Sequence, residues 1–256
     1  MPGELNEGYV KSEFHRGVTI IEFFHPQSNS LPSKILDQLA QAIHGAGLDT
    51  DTKVILLRSA GNRAFCAGAS FDELTSINDE EQGLSFFSGF ASVINAMRTC
   101  PKFIIARIHG KCVGGGVGIA AAADYAIATD AAEIKLSELA VGIGPFVVGP
   151  AVERKIGLSA FSQLAIDASM WRNADWAKRK GLFAEVHETV ETLDESIQRL
   201  VDTLSHSSPE AMREMKAIFW KGTEHWDKLL PERASISGRL VLSEFTREAI
   251  ARFKRK

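Results

Sequence analysis

Phe103-Ile-Ile-Ala-Arg-Ile108-His-Gly-Lys-Cys-Val-Gly114-Gly-Gly116-Val-Gly118-Ile-Ala-Ala-Ala-Ala-Asp124 decides the architecture. The apolar run Phe103 to Ile108 reads as a strand. A glycine turn follows it, and the alanine-rich run from Ile119 to Ala123 then reads as a helix. Small residues at such a turn leave backbone N–H groups uncovered, so a ligand atom can approach them closely. The same arrangement lies upstream. Lys53-Val-Ile-Leu-Leu-Arg58 is mostly apolar and reads as a central strand, with Ala64-Phe-Cys-Ala-Gly-Ala69 as the small-residue turn after it. Downstream, Tyr125-Ala-Ile-Ala-Thr129 and Glu133-Ile-Lys-Leu-Ser137 read as two further strands, and the second runs into Glu138.

Working outward, Val18-Thr-Ile-Ile-Glu-Phe-Phe24 is β-rich and ends at His25-Pro26. Pro32 opens a helix with Ile35, Leu36, Leu39, Ala40 and Ile43 on one face, and Gly45 and Gly47 are expected to stop it. A phenylalanine-rich helix is expected from about Leu84 to Met97, ended by Pro101. Strands alternating with helices imply an α/β fold. Past residue 190 the pattern becomes wholly helical. Leu193, Ile197, Leu200, Val201 and Leu204 fall at helical spacing, Pro209 starts another helix, and a third runs to the C-terminus. The expected division is an α/β core over 1–195 and a helical region over 196–256.

A chain of 256 residues with 45% hydrophobic content can bury a substantial core. Its net charge of −3 argues against a general nucleic-acid binder. The three cysteines (Cys66, Cys100, Cys112) form no CxxC pair and no disulfide framework, which fits a reducing, cytoplasmic setting. Cys66 falls inside the first turn and reads as a small buried thiol. No apolar run reaches the roughly 18 residues of a membrane span. Met1 to Tyr9 carries acidic residues and reads as no signal peptide. The histidines show no HxxxH or HExxH spacing, so no metal is expected.

Two converging turns would hold a developing oxyanion, and a carboxylate nearby would then move a proton. Glu138 is the candidate. A glutamate after an apolar strand is ordinarily a solvated strand end or a salt-bridge partner. Here Leu136, Leu139, Val141, Ile143 and Phe146 predict desolvation, which raises a carboxyl pKa toward neutrality. Phe86, Phe87 and Phe90 lie at helical spacing, either as core or as the lining of an apolar acyl pocket. Two other motifs fall short. Gly116-x-Gly118-x-x-Ala121 would need, for nicotinamide-cofactor binding, an acid about twenty positions on at the end of the next strand, but Asp130 is only fourteen past Gly116 and Glu133 follows no convincing strand end. Gly68-Ala-Ser70 is no nucleophile elbow, because position 72 is Asp; Ser70 and Asp72 read as helix-start residues.

Taken in order and spacing, these pieces resemble the crotonase (enoyl-CoA hydratase/isomerase) superfamily over roughly Val10 to Lys256. They are Asn62-Arg-Ala-Phe-Cys-Ala-Gly-Ala69, Ile108-His-Gly-Lys-Cys-Val-Gly-Gly-Gly116, Ala123-Asp124 and Ser137-Glu138. Ala177-x-x-x-Gly181-Leu-Phe-x-x-Val186 and the ending Arg247-Glu-Ala-Ile-Ala-Arg-Phe-Lys-Arg-Lys256 complete the likeness. The resemblance implies an α/β crotonase-like spiral of ββα units with a C-terminal helical trimerisation region, as a homotrimer or hexamer. It implies acyl-CoA thioester substrates, with coenzyme A as part of the substrate and no separate cofactor. The N–H groups of Ala69 and Gly115 match the family's oxyanion donors. Ala67, Gly68, Gly114, Phe86, Phe87, Phe90 and Phe146 are the expected substrate contacts.

Hydratases of that family carry a second glutamate three residues after the second oxyanion glycine, where this chain has Gly118. Members that isomerise 3-enoyl-CoA keep a single glutamate at the position of Glu138. Dienoyl isomerases and aryl-CoA dehalogenases place an aspartate where this chain has Phe146. Other departures are Ser70, where relatives often carry Asp, and Gly144-Pro-Phe-Val-Val-Gly149, bulkier than the usual glycine-rich turn. The expected activity is 3-enoyl-CoA to 2-enoyl-CoA isomerisation with Glu138 as the base. One alternative is hydration with a second acid drawn from Asp72, Glu73 or a neighbouring subunit. Another is acyl-CoA binding with little catalysis.

Overall fold

Strand β3 (Val54–Ser59) carries apolar side chains at successive positions, and the computed structural model, which describes residues 7–254 (253 and 254 as backbone), buries both its faces. It lies inside a six-stranded sheet ordered β1 (Tyr9–His15), β2 (Val18–Phe24), β3, β5 (Phe103–Ile108), β7 (Tyr125–Thr129), β10 (Glu185–His187). Only the β1–β2 pair is antiparallel. Ile55, Leu57, Ile104 and Ala106 face the main core, which includes helices α1 (Ser33–Leu48) and α3 (Glu80–Thr99). Val54, Leu56, Phe103 and Ile105 face the other way, against Leu193, Ile197 and Val201 of α7 (Val190–Ser205). This is the period-two alternation of a strand buried on both sides.

Each of β3, β5 and β7 is followed by a short second strand: β4 (Ala64–Cys66), β6 (Lys111–Val113) and β8 (Glu133–Lys135). With β9 (Arg172–Asn173) these form a four-stranded sheet ordered β4-β6-β8-β9. Parallel pairing of β4 with β6, Cys66 opposite Cys112, makes the two small-residue turns leave the sheet side by side. That register is the physical reason they converge. Helix α2 (Phe71–Ser76) follows the first turn, with Ser70 Oγ accepting from the Glu73 N–H at 3.4 Å. Helix α4 (Gly115–Ala122) begins inside the second. At the far end of α4, the buried Asp124 carboxylate accepts from the Ile104 N–H (2.8 Å), Trp220 Nε1 (3.0 Å) and Lys216 Nζ (2.8 Å). A buried ion pair satisfied in this way anchors the C-terminal helices to the sheet.

Several expected boundaries move. Helix α1 runs through Gly45 and Gly47 to Leu48, where Gly47 gives room to Cys100: a methyl group added there would sit 3.2 Å from the Cys100 sulfur. Helix α3 is longer than expected at both ends; it starts early because Asp79 caps it by accepting from the Gln82 N–H at 2.8 Å. The helix expected to reach the C-terminus is two, α9 (Trp226–Leu240) and α10 (Glu244–Lys254). The 195/196 boundary falls inside α7, which Thr189 opens with a capping box. The C-terminal helices are not set apart either. Trp226, Leu230, Ala234, Ala249 and Ile250 share the main core. Helices α3 and α9 cross where a methyl group on Gly83 would lie 2.6 Å from Gly238 Cα. Among the described residues no helix is long and apolar enough to cross a membrane.

Candidate active site

The two turns meet at Gly68. Its φ is +85°, and a methyl group there would sit 2.8 Å from the Val113 carbonyl oxygen and 3.5 Å from the Gly115 nitrogen. Only glycine combines that backbone conformation with that approach. Leu31 bridges Ala69 in parallel: the Leu31 N–H donates to Gly68 O (2.8 Å) and the Ser70 N–H to Leu31 O (3.3 Å). The N–H of Ala69 itself therefore points away from Leu31, and among the described residues no acceptor meets it. Gly115 is the first residue of α4, so its N–H has no partner within the helix, and none is supplied from outside among the described residues. Both residues line one cavity, with one donor at the positive end of a helix.

Glu138 stands beside them. The Gly114 N–H donates to Lys135 O at 2.9 Å, tying the second turn to the strand that leads to Glu138. Gly114 has φ +52°, and a methyl group on it would sit 3.0 Å from Glu138 Oε1. The missing side chain is the seat of the carboxyl. Glu138 Oε2 is shut from solvent and, among the described residues, has no hydrogen-bond partner. Desolvation pushes the Glu138 pKa up to about 7, and its own backbone N–H offsets only part of that rise.

These groups line a cavity of about 230 Å³ with mostly apolar walls. Ala67, Gly68, Ala69, Gly114, Gly115, Phe87, Phe90, Phe146 and Glu138 all line it. Phe86 does not. It lies 100° round the helix from Phe87 and is buried in the core, edge-on to Phe87 (5.2 Å) and Phe90 (6.0 Å). Of the apolar neighbours expected of Glu138, Val141, Ile143 and Phe146 wall the cavity, whereas Leu136 is buried outside it and Leu139 is 51% exposed. Cys66 is packing, as a methyl group on Gly116 would lie 2.8 Å from its Cβ, and burial pushes its thiol up to about 12.

Sequence reasoning missed Lys135, Ser137 and Ser237 as lining residues. Lys135 and Ser137 alternate with the buried Ile134 and Leu136, a signal that was readable. Ser237 arrives from α9 by a tertiary crossing that no local pattern announces.

The second-acid position is closed. A methyl group on Gly118 would sit 2.5 Å from Val148 Cγ1, so that valine fills the space a longer side chain would need. Asp72 accepts from Gln27 Nε2 (2.6 Å), Glu73 accepts from the Ser33 N–H (2.7 Å), and neither lines the cavity. Glu138 is its one carboxylate among the described residues. Among those residues no group of three or more His, Cys, Asp and Glu could hold a metal ion.

Comparison with known proteins bears on the fold first. A solved enoyl-CoA hydratase from Bacillus halodurans superposes with a TM-score of 0.87 at 22% identity, over 95% of this chain and 99% of that one. Mouse mitochondrial methylglutaconyl-CoA hydratase is 30% identical over 226 residues, 86% of this chain and 71% of that protein. The peroxisomal Delta(3,5)-Delta(2,4)-dienoyl-CoA isomerase of Arabidopsis thaliana is 26% identical over 96% of this chain and 94% of its own length. The family model described as enoyl-CoA hydratase/isomerase matches residues 13–252. With the α/β fold and nearly the whole length in agreement, the chain belongs to the enoyl-CoA hydratase/isomerase family.

Proposed function

We propose that this enzyme shifts the double bond of a 3-enoyl-CoA to the 2-position through a thioester enolate, with Glu138 as the single base. One observation carries the reading: Glu138 is the one carboxylate among the described residues lining the cavity, while Val148 fills the space beside Gly118. Hydration needs a water oriented and deprotonated while a proton reaches C2, work for two acid–base groups. Bond migration needs one.

The thioester oxygen accepts from the Ala69 and Gly115 N–H groups. Glu138 removes a C2 proton, the electron pair moves into the C2–C1 bond, and charge develops on the oxygen between the two donors. The protonated Glu138 then returns the proton at C4 as the C2–C3 double bond forms. Each donor of this kind is worth about 2.7–4 kcal/mol at the transition state. A carboxyl with a pKa of about 7 suits both halves, since it must take a proton and give it back near neutrality. Coenzyme A arrives as part of the substrate, and no further cofactor is proposed. The relatives named as hydratases keep hydration as the second reading, which would need a second acid from outside the residues that line this cavity.

The pH profile tests the proposal. Glu138 acts as its anion, so kcat/KM for migration of a 3-enoyl-CoA should rise with pH through about 7 and then level off. No migration, or a rate unchanged from pH 5 to 9, would contradict it.

A further inference from the structure

Among the described residues one cation lines the cavity besides its carboxylate: Lys135, three residues before Glu138. Its neighbours are fixed by strand pairing. Val113 of β6 stands opposite Lys135 and also lines the cavity. On the other side β8 pairs antiparallel with β9, Ile134 opposite Arg172, which brings Trp171 alongside. Lys135 Nζ lies 4.3 Å from the Trp171 ring centroid, and Lys111 Nζ lies 4.5 Å from the same centroid. The two ammonium groups are treated differently. Lys111 has a counter-ion, Glu133 Oε2 at 3.1 Å, whereas among the described residues no carboxylate comes within ion-pair reach of Lys135.

The cluster therefore has one positive charge in excess, and it belongs to the residue facing the cavity. The aromatic face holds Lys135 in place without neutralising it. Burial and the Lys111 charge lower its pKa, as expected of an ammonium that has lost water and gained no anion. A ligand that brings the anion would recover that cost in the complex.

We propose that Lys135, held over Trp171, receives an oxyanion carried by the substrate itself: a carboxylate on the acyl chain, or a phosphate of its coenzyme A carrier. This rests on reading the cavity as an acyl-CoA site and not on the isomerase chemistry.

Binding of unreactive thioesters tests it. Glutaryl-CoA and pentanoyl-CoA, and the two corresponding pantetheine thioesters without phosphates, are titrated calorimetrically into the wild type and Lys135→Met. If the anion is on the acyl chain, the wild type binds glutaryl-CoA at least about tenfold tighter than pentanoyl-CoA, and the substitution erases that ratio. If it is on the carrier, the substitution weakens both CoA thioesters about tenfold and leaves both pantetheine thioesters unchanged. Four dissociation constants unaffected by Lys135→Met overturn the proposal. Should the variant fail to fold, the wild type alone decides: its affinity for glutaryl-CoA must weaken between about 0.05 and 0.5 M salt, and a salt-independent affinity overturns the proposal. Turnover is not required, so failure of the isomerase assay leaves this test intact. A wild type that binds none of the CoA thioesters removes both readings together.

Discussion

Replacing Glu138 by Gln is expected to lower kcat for double-bond migration by at least about 10³-fold, while making the protein more stable at pH 8. The amide keeps the shape of the side chain but can neither take the C2 proton nor return it at C4. Its effect on stability follows from burial. The Glu138 carboxyl titrates at about 7 in the folded chain against 4.5 as an ordinary carboxyl, so the folded state holds a proton that the unfolded chain has already lost. The resulting stabilisation is full below about 4.5 and is lost as pH rises through about 7. Above that range the wild type carries a desolvated charge costing up to about 3 kcal/mol, which the amide does not. The melting temperatures should therefore separate in favour of the variant at pH 8 and converge at pH 4. A variant that retains activity, or that is less stable than wild type at pH 8, contradicts this role for Glu138.

Gly68→Ala is expected to lower kcat by about 10²–10³-fold and to lower the melting temperature. An alanine at φ +85° costs about 1–2 kcal/mol in backbone strain alone. Its methyl group would also press on the Val113 carbonyl at 2.8 Å, and the turn can relieve that contact only by moving away from Gly115. The two donor N–H groups then no longer aim at one oxygen. Gly61→Ala separates the two effects. Gly61 has φ +86° with nothing within 4 Å of the added methyl, so it pays the backbone cost and leaves kcat near wild type. Equal losses of kcat in the two variants would show that the effect is general destabilisation.

The centre of the site was legible because its physics is local. Small residues directly after an apolar strand, and a carboxylate set among apolar neighbours, can be read from a few consecutive positions. What failed was register and distance. Phe86 and Phe87 are adjacent in sequence and both buried in the main core, yet helical rotation brings only Phe87 to the cavity wall. Strands β4 and β6 have three residues each, too short to show an alternation. Strand β1 is largely exposed and lacks the apolar pattern of its partner β2. Ser237 is brought to the cavity by the close α3–α9 crossing at Gly83 and Gly238, which only the assembled fold reveals. The absence of an acid at position 118 was plain in the sequence. That Val148 occupies the space, rather than leaving it open to water, was not.

The central claim is that this cavity performs one-base enolate chemistry. The most direct measurement presents 3-hexenoyl-CoA and 2-hexenoyl-CoA separately to the wild type in deuterium oxide and follows the products by NMR. One-base chemistry predicts migration of the 3-enoyl double bond with C2 protium carried to C4 in competition with solvent deuterium, and hydration of the 2-enoyl thioester slower by at least about 10²-fold. Formation of 3-hydroxyhexanoyl-CoA as fast as migration, or no migration of the 3-enoyl double bond, would contradict it.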